Sequence, residues 1–254
     1  MRRLHLFEFG DQQWFPQILR DAETAYLTAA YRVWPALARH WAEKISTVLH
    51  PNTAAEIIDL CAGSGGAMPQ IIEDLRQRNY AVRAVLTDLY PNRNPGLDSR
   101  ITWLPDPVDA MHVPPKLTGV RTMFSAFHHF RPDAARAILK DAFDHRRAIC
   151  VFESGSGTPL GMAAMLGVPL AVLALMPLAR PLRWAHLLFT YLIPVLPLLL
   201  LWDGMVSMLR IYSCDQMRQL TADLQAPDYH WELGNIRVRG IPDGLPYLIG
   251  RPIP

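Results

Sequence analysis

The chain has 254 residues, a formal net charge of +2, 50% hydrophobic residues and only 19% charged ones. That is enough to bury a sizeable core in one large domain, or in one domain carrying an insertion. The small charge, with no clustered basic stretch, gives no ground for a nucleic-acid partner.

Cys61, Cys150 and Cys214 are widely separated and lack CxxC spacing. This argues against a disulfide framework or a zinc site, fits a reducing compartment, and leaves no metal expected. After Met1-Arg2-Arg3 the chain runs into Glu8, Asp11 and Gln12 rather than an apolar leader core. The expectation is therefore a cytoplasmic chain.

From Pro16 to Leu49 apolar residues recur at helical spacing, among them Ile18, Ala22, Tyr26, Ala29, Val33, Leu37, Trp41 and Ile45. Pro35 should kink or divide this stretch. Trp14, Trp34 and Trp41 are expected to pack in the interior, with a lid as the other reading. Strand and helix patterns then alternate. Ala55 to Cys61 reads as a strand, the stretch to about Arg78 as a helix, and Val82 to Thr87, Ile101 to Leu104 and Arg121 to Ala126 as strands. Pro132 to His145 follows as a helix, with proline in its first turn, and Ala148 to Glu153 as a fifth strand. Such an order implies an α/β fold, a parallel sheet with helices on both faces. Ser213 with Gln216 makes a capping box for a helix to about Leu224. Tyr229 to Val238, a turn at Pro242-Asp243-Gly244, and Leu245 to Gly250 read as a terminal antiparallel hairpin.

Ligands of such sheets bind beyond the carboxyl ends of the strands. There the chain places Gly63-Ser64-Gly65-Gly66, where missing side chains let backbone approach a ligand and the next helix offers free N–H groups. Asp88 ends the second strand, at the distance from the glycines where a carboxylate accepts from ribose hydroxyls. Asp109 follows the third strand, within reach of an adenine amino group. The simpler reading of each aspartate is a loop or capping residue.

Taken in order, Glu56-Ile-Ile-Asp-Leu-Cys-Ala-Gly-Ser-Gly-Gly66, Leu86-Thr-Asp-Leu89, Asp106-Pro-Val-Asp-Ala-Met111 and Phe124-Ser-Ala-Phe-His-His-Phe130 resemble the four motifs of class I S-adenosylmethionine-dependent methyltransferases. The resemblance implies a Rossmann-like seven-stranded sheet whose C-terminal hairpin supplies the last two strands. It implies S-adenosyl-L-methionine as cofactor, held by Asp59, Cys61, Ala62, Gly63, Ser64, Gly65, Asp88, Leu89, Asp109, Ala110, Ser125 and Ala126. Cys61 and Ala62 stand where the first motif has commoner residues. A pyridine-nucleotide dehydrogenase would need G-x-G-x-x-G, and no glycine stands three places after Gly65.

The stretch from Pro159 to Trp202 departs from this frame. Leu160 to Leu178 and Leu187 to Trp202 are uncharged runs, separated by Arg180 and Arg183 and interrupted by Pro169, Pro177, Pro181, Pro194 and Pro197. An apolar stretch of this kind must be buried in protein or in lipid. Three readings stand: a membrane-spanning pair near the lower length limit, an interfacial or re-entrant hairpin at the cytoplasmic face of a bilayer, and a buried insertion forming a lid or a homodimer contact. The expected organisation is an N-terminal helical cap (1–50), a Rossmann-like core (51–158), a hydrophobic helical hairpin (159–210) and a C-terminal helix and β-hairpin (211–254).

The implied activity is methyl transfer to a small, lipophilic acceptor at or near a membrane. The reading from a different class is an inactive S-adenosylmethionine-binding interaction protein anchored by the insertion. Where the acceptor carries a proton, His128 or His129 is the candidate base, with Glu153 a second candidate or a hydrogen-bond partner. Asp203, Ser207 and Arg210 would share one helix face, and Asp203 is expected to pair with Arg210 at the mouth of the acceptor pocket.

Overall fold

A computed structural model describes residues 3–50, 53–91, 98–238 and 241–253. The N-terminal stretch divides at Pro35 as expected, into α1 (Gln17–Val33) and α2 (Pro35–Ser46). Five strands follow: β1 (Ala55–Asp59), β2 (Val82–Leu86), β3 (Ile101–Trp103), β4 (Val120–Phe124) and β5 (Ile149–Phe152). α3 (Met68–Gln77) lies between β1 and β2, and α4 (Pro132–Asp144) between β4 and β5. With β6 (Tyr229–Val238) and β7 (Ile241–Pro252) they form one sheet in the order β3-β2-β1-β4-β5-β7-β6. β1 to β5 are parallel, while β7 runs antiparallel to β5 and β6 antiparallel to β7.

Alternation along each central strand feeds two cores, as expected of parallel strands covered on both faces. Ile57, Cys150 and Phe152 pack with Trp41 and Ile45 of α2 and Ile71 and Leu75 of α3. Ile58, Met123, Ile149 and Val151 pack with Ile138 and Leu139 of α4 and Met217 of α9 (Cys214–Leu220) on the other face. The capping box at the start of α9 forms: Ser213 Oγ accepts from the Gln216 N–H at 3.3 Å, and Gln216 Oε1 accepts from the Ser213 N–H at 2.9 Å.

Three details differ from the sequence reading. Trp41 is buried against Phe124 and Phe152, but Trp14 and Trp34 are 67% and 57% exposed. The helix of the capping box stops at Leu220. Pro242-Asp243-Gly244 is no hairpin turn: Ile236 pairs with Leu245 and Val238 with Ile241, so the three residues bulge inside β7. Gly244 sits there at φ +67, with the Ile236 carbonyl oxygen 2.8 Å from where a Cβ would stand. The glycine signal marked a bulge, and the connection at 239–240 lies outside the described residues.

The insertion is not a two-helix hairpin. Its prolines divide it into α5 (Pro159–Met165), α6 (Val168–Leu175), α7 (Trp184–Leu187) and α8 (Val195–Arg210), with short 3₁₀ and π turns between. Among the described residues no single helix is long and apolar enough to cross a membrane; two bent pairs have the length and composition together. Val172, Leu175, Leu196 and Leu200 bury one side against Ala22 and Tyr26 of α1. The outer side leaves Leu166, Leu170, Trp184, Leu192, Ile193 and Leu198 exposed.

Candidate functional site at the strand ends

β1 neighbours both β2 and β4, so the sheet order reverses there, the point at whose carboxyl ends such sheets bind ligands. The chain leaves β1 through a turn in which Cys61, Gly63, Gly65 and Gly66 have φ of +56, +54, +86 and +43. Glycine accepts this left-handed region freely, but Cys61 pays roughly 1–2 kcal/mol for it. The turn is held by two backbone bonds: the Leu60 N–H donates to the Thr122 carbonyl at 2.8 Å and the Ala62 N–H to the Thr87 carbonyl at 3.0 Å. Burial pushes the Cys61 thiol up, with Asp88, Asp59 and Asp109 adding to the effect, which disfavours the thiolate. A Cβ on Gly63 would meet nothing within 4 Å, so that face of the turn is open. Ser64 lies in the same turn.

Asp59 lies beneath the turn rather than in it. Its Oδ1 accepts from Thr122 Oγ1 at 2.8 Å, and burial, with the Asp88 charge, raises its carboxyl to about 8. Asp88 Oδ2 accepts from the Gly63 N–H and Oδ1 from the Tyr90 N–H, both at 2.9 Å. The carboxylate thus ties the glycine turn to the end of β2 and keeps further lone pairs. Asp109 caps its own loop, accepting from the Met111 N–H at 2.9 Å and lying 3.2 Å from His112 Nδ1. Leu89 is exposed and Ala110 buried. Ser125 follows β4 at φ +50, with Oγ 3.1 Å from the Tyr31 hydroxyl, beside buried Ala126. Tyr31, absent from the sequence reading, also packs over Gly66.

On the β4–β5 side the surface is made of charged side chains. His128 stands in a single turn (Phe127–His129) and is 4% exposed. Its backbone N–H donates to Glu153 Oε1 at 2.9 Å, and its Nδ1 lies 2.7 Å from Glu153 Oε2. A carboxylate accepts, so the Nδ1 proton of the ring points at Glu153 and Nε2 is the face of the ring turned away from it. Nε2 is buried with no hydrogen-bond partner among the described residues. Glu153, fully buried at the end of β5, is therefore the partner that orients His128.

The His129 ring lies 4.3 Å from that of His128, with Nδ1 at 2.7 Å from Asp11 Oδ1 and 3.5 Å from Glu8 Oε2. Burial disfavours the charged ring, but Asp11 and Glu8 outweigh it and hold His129 up at about 9. The expected Asp203–Arg210 pair does not form. Asp203 accepts the backbone N–H groups of Phe9 and Gly10 at 2.8 and 3.0 Å, and burial raises it to about 6 against those bonds. Arg210 pairs with Glu8 at 3.1 Å and Asp11 at 2.6 Å. The strap of residues 3–15 comes between them, so both ends of that helix face address it. Glu8 and Asp11 were visible only as polar residues where a leader would be apolar.

No protein-family model matches the chain, and no curated protein sequence does. Similar shapes do exist among solved structures. The plantazolicin methyltransferase BpumL, solved with SAH, superposes with a TM-score of 0.52 at 9% identity, over 97% of this chain and 93% of that one. Human N-acetylserotonin methyltransferase, solved with SAM, gives 0.54 at 13% identity, over 100% of this chain and 63% of that one. At such identities the likeness speaks for fold alone, and the fold of this chain is the seven-stranded, Rossmann-like sheet of those methyltransferases.

Proposed function

We propose that the chain is an S-adenosylmethionine-dependent methyltransferase acting on a small, lipophilic acceptor at or near a membrane. The observation that carries this reading is the pairing of two surfaces on neighbouring strand ends. An open left-handed backbone cradle leaves β1, and the partnerless Nε2 of buried His128 follows β4. The cradle fits the cofactor chemically: Gly63 offers open space, and Asp88 retains acceptor capacity for a diol. Gly63, Gly65, Asp88, Asp109 and Ser125 would hold it, and when bound it supplies an electrophilic methyl group.

The protein's own residues align and deprotonate. Glu153 fixes the His128 tautomer so that Nε2 meets the acceptor heteroatom and takes its proton, a role worth about 10²–10⁴-fold in rate. Leu160, Ala164, Met165, Met208 and Leu245 line a pocket beyond β5 that suits an apolar acceptor. The exposed outer side of the insertion, flanked by Arg180 and Arg183, suits the surface of an anionic bilayer.

Incubation with methyl-labelled S-adenosylmethionine and a lipid extract tests the reading. Label should pass into the organic phase, and His128→Gln should cut transfer at least 100-fold without weakening the cofactor more than about twofold. Cofactor binding with no transfer to any lipophilic fraction would leave a binding module and sink the enzyme reading. Co-sedimentation with anionic vesicles tests the location. Self-association without vesicle binding would assign the apolar surface to a second copy instead.

A further inference from the structure

One ring nitrogen of His128, one of His129 and one Glu8 carboxylate oxygen lie within 4.8 Å of one another. Ligands about 2.0–2.2 Å from one small cation stand roughly 3.3–3.6 Å apart, so the three atoms need to close by about 1 Å to hold one. The remaining contacts of the three residues orient them. Glu153 engages His128 Nδ1 at 2.7 Å, which leaves Nε2 as the ligating atom, buried and without a partner. Glu8 Oε1 accepts from Arg210 and from Ser207 Oγ, each at 3.1 Å, which leaves Oε2 on the side of His129. Asp11 sits 2.7 Å from His129 Nδ1. Glu8 Oε2 approaches that same nitrogen at 3.5 Å, so it is at His128 that a carboxylate, Glu153, stands behind the ligating nitrogen, where it fixes the ring and raises its basicity toward a metal.

We propose that Glu8, His128 and His129 form a site for a divalent cation of the zinc class, with Glu153 orienting His128 from behind. Two neutral imidazoles and one carboxylate are a donor set that suits such an ion, His129 releasing to water the proton that Asp11 and Glu8 hold on it, and three protein ligands leave a position for a further oxygen. The role of the site rests on the methyltransferase reading; the binding itself does not. The cation takes the hydroxyl oxygen of the acceptor as its further ligand. The O–H bond then breaks, the proton leaves to water, and the oxygen keeps the electron pair as a cation-stabilised oxyanion. With the cation in place the Nε2 lone pair is taken up in ligation, so the deprotonating role of the free ring passes to the cation, and the acceptor class narrows to phenols and other acidic hydroxyls.

The test is titration of the chelator-treated full chain with Zn²⁺ by calorimetry and with Co²⁺ by visible absorption. One Zn²⁺ per chain should bind, and Co²⁺ should show a d–d spectrum of a histidine-containing site. Glu8→Gln and His128→Gln should each weaken binding at least 100-fold, and Glu153→Gln, which removes no ligand, roughly 10–100-fold. His230→Gln, at an exposed histidine, should change nothing. Near-UV circular dichroism establishes that each variant is folded. Absence of Zn²⁺ binding tighter than about 100 μM, or a site that survives both ligand substitutions, would overturn the proposal. Titration with S-adenosylmethionine runs in parallel. Zinc binding without cofactor binding overturns only the methyltransferase reading, and cofactor binding without zinc overturns only the cation site.

Discussion

At the end of β1 and β2 the ligand-facing surface is backbone, whereas at the end of β4 and β5 it is buried charge. The first side is shaped by four residues at positive φ and by carboxylates that bond mainly to backbone N–H groups. The second is shaped by Glu8, Asp11, His128, His129, Glu153 and Arg210, drawn from the N-terminal strap, β5, α8 and the turn after β4. A backbone cradle tolerates most side-chain changes but not a wrong dihedral. A buried charge network tolerates small dihedral changes but not the loss of one partner. Substitutions on the two sides should therefore fail in different ways.

The largest effect is expected at Glu153. Glu153→Ala leaves His128 buried without its partner and should lower unfolding free energy by about 3–5 kcal/mol in denaturant titrations. A loss below about 1 kcal/mol would mean that water reaches this side. Gly65→Val, at φ +86, should cost about 1–3 kcal/mol of strain and weaken cofactor binding at least tenfold, with the His128 side undisturbed. Asp88→Asn should reduce cofactor affinity by about 1.5 kcal/mol, read by calorimetry, and leave the melting temperature nearly unchanged.

Next in size is a pH effect from the charged side. Burial raises Glu23 to about 8, with Asp203 and Glu8 adding and Arg20 opposing. The fold thus holds this proton more tightly than the unfolded chain. The stability it contributes is complete below about pH 4.5 and is lost as pH rises through about 8. Glu23→Gln should flatten the decline of melting temperature across that window; an unchanged slope would remove Glu23 as its source. The smallest effect on stability is expected for Leu170→Ser with Leu192→Ser, both on exposed side chains: within about 0.5 kcal/mol, but with vesicle binding lost.

The two sides also differ in what sequence reasoning reaches. Alternation in Ile57–Ile58 and in Ile149 to Phe152 encodes both cores locally, and Gly63 to Gly66 announce a turn because few other residues adopt positive φ. The charged side has no local signature. Asp11 and His129 are 118 residues apart, and only the seating of the strap against α8 joins them. Helical spacing put Asp203 and Arg210 on one face correctly, yet could not show that residues 8 to 11 would come between them. In the insertion, hydropathy overrode the prolines, so a hairpin was expected where α8 and three helices of eight residues or fewer form.

Calorimetric titration of the intact chain with S-adenosylmethionine reads the cradle after β1 as a cofactor site or as a bare turn. One site of micromolar affinity is expected, weakened at least tenfold by Gly65→Val and unchanged by His128→Gln. No binding at millimolar cofactor, or binding indifferent to Gly65→Val, would contradict it.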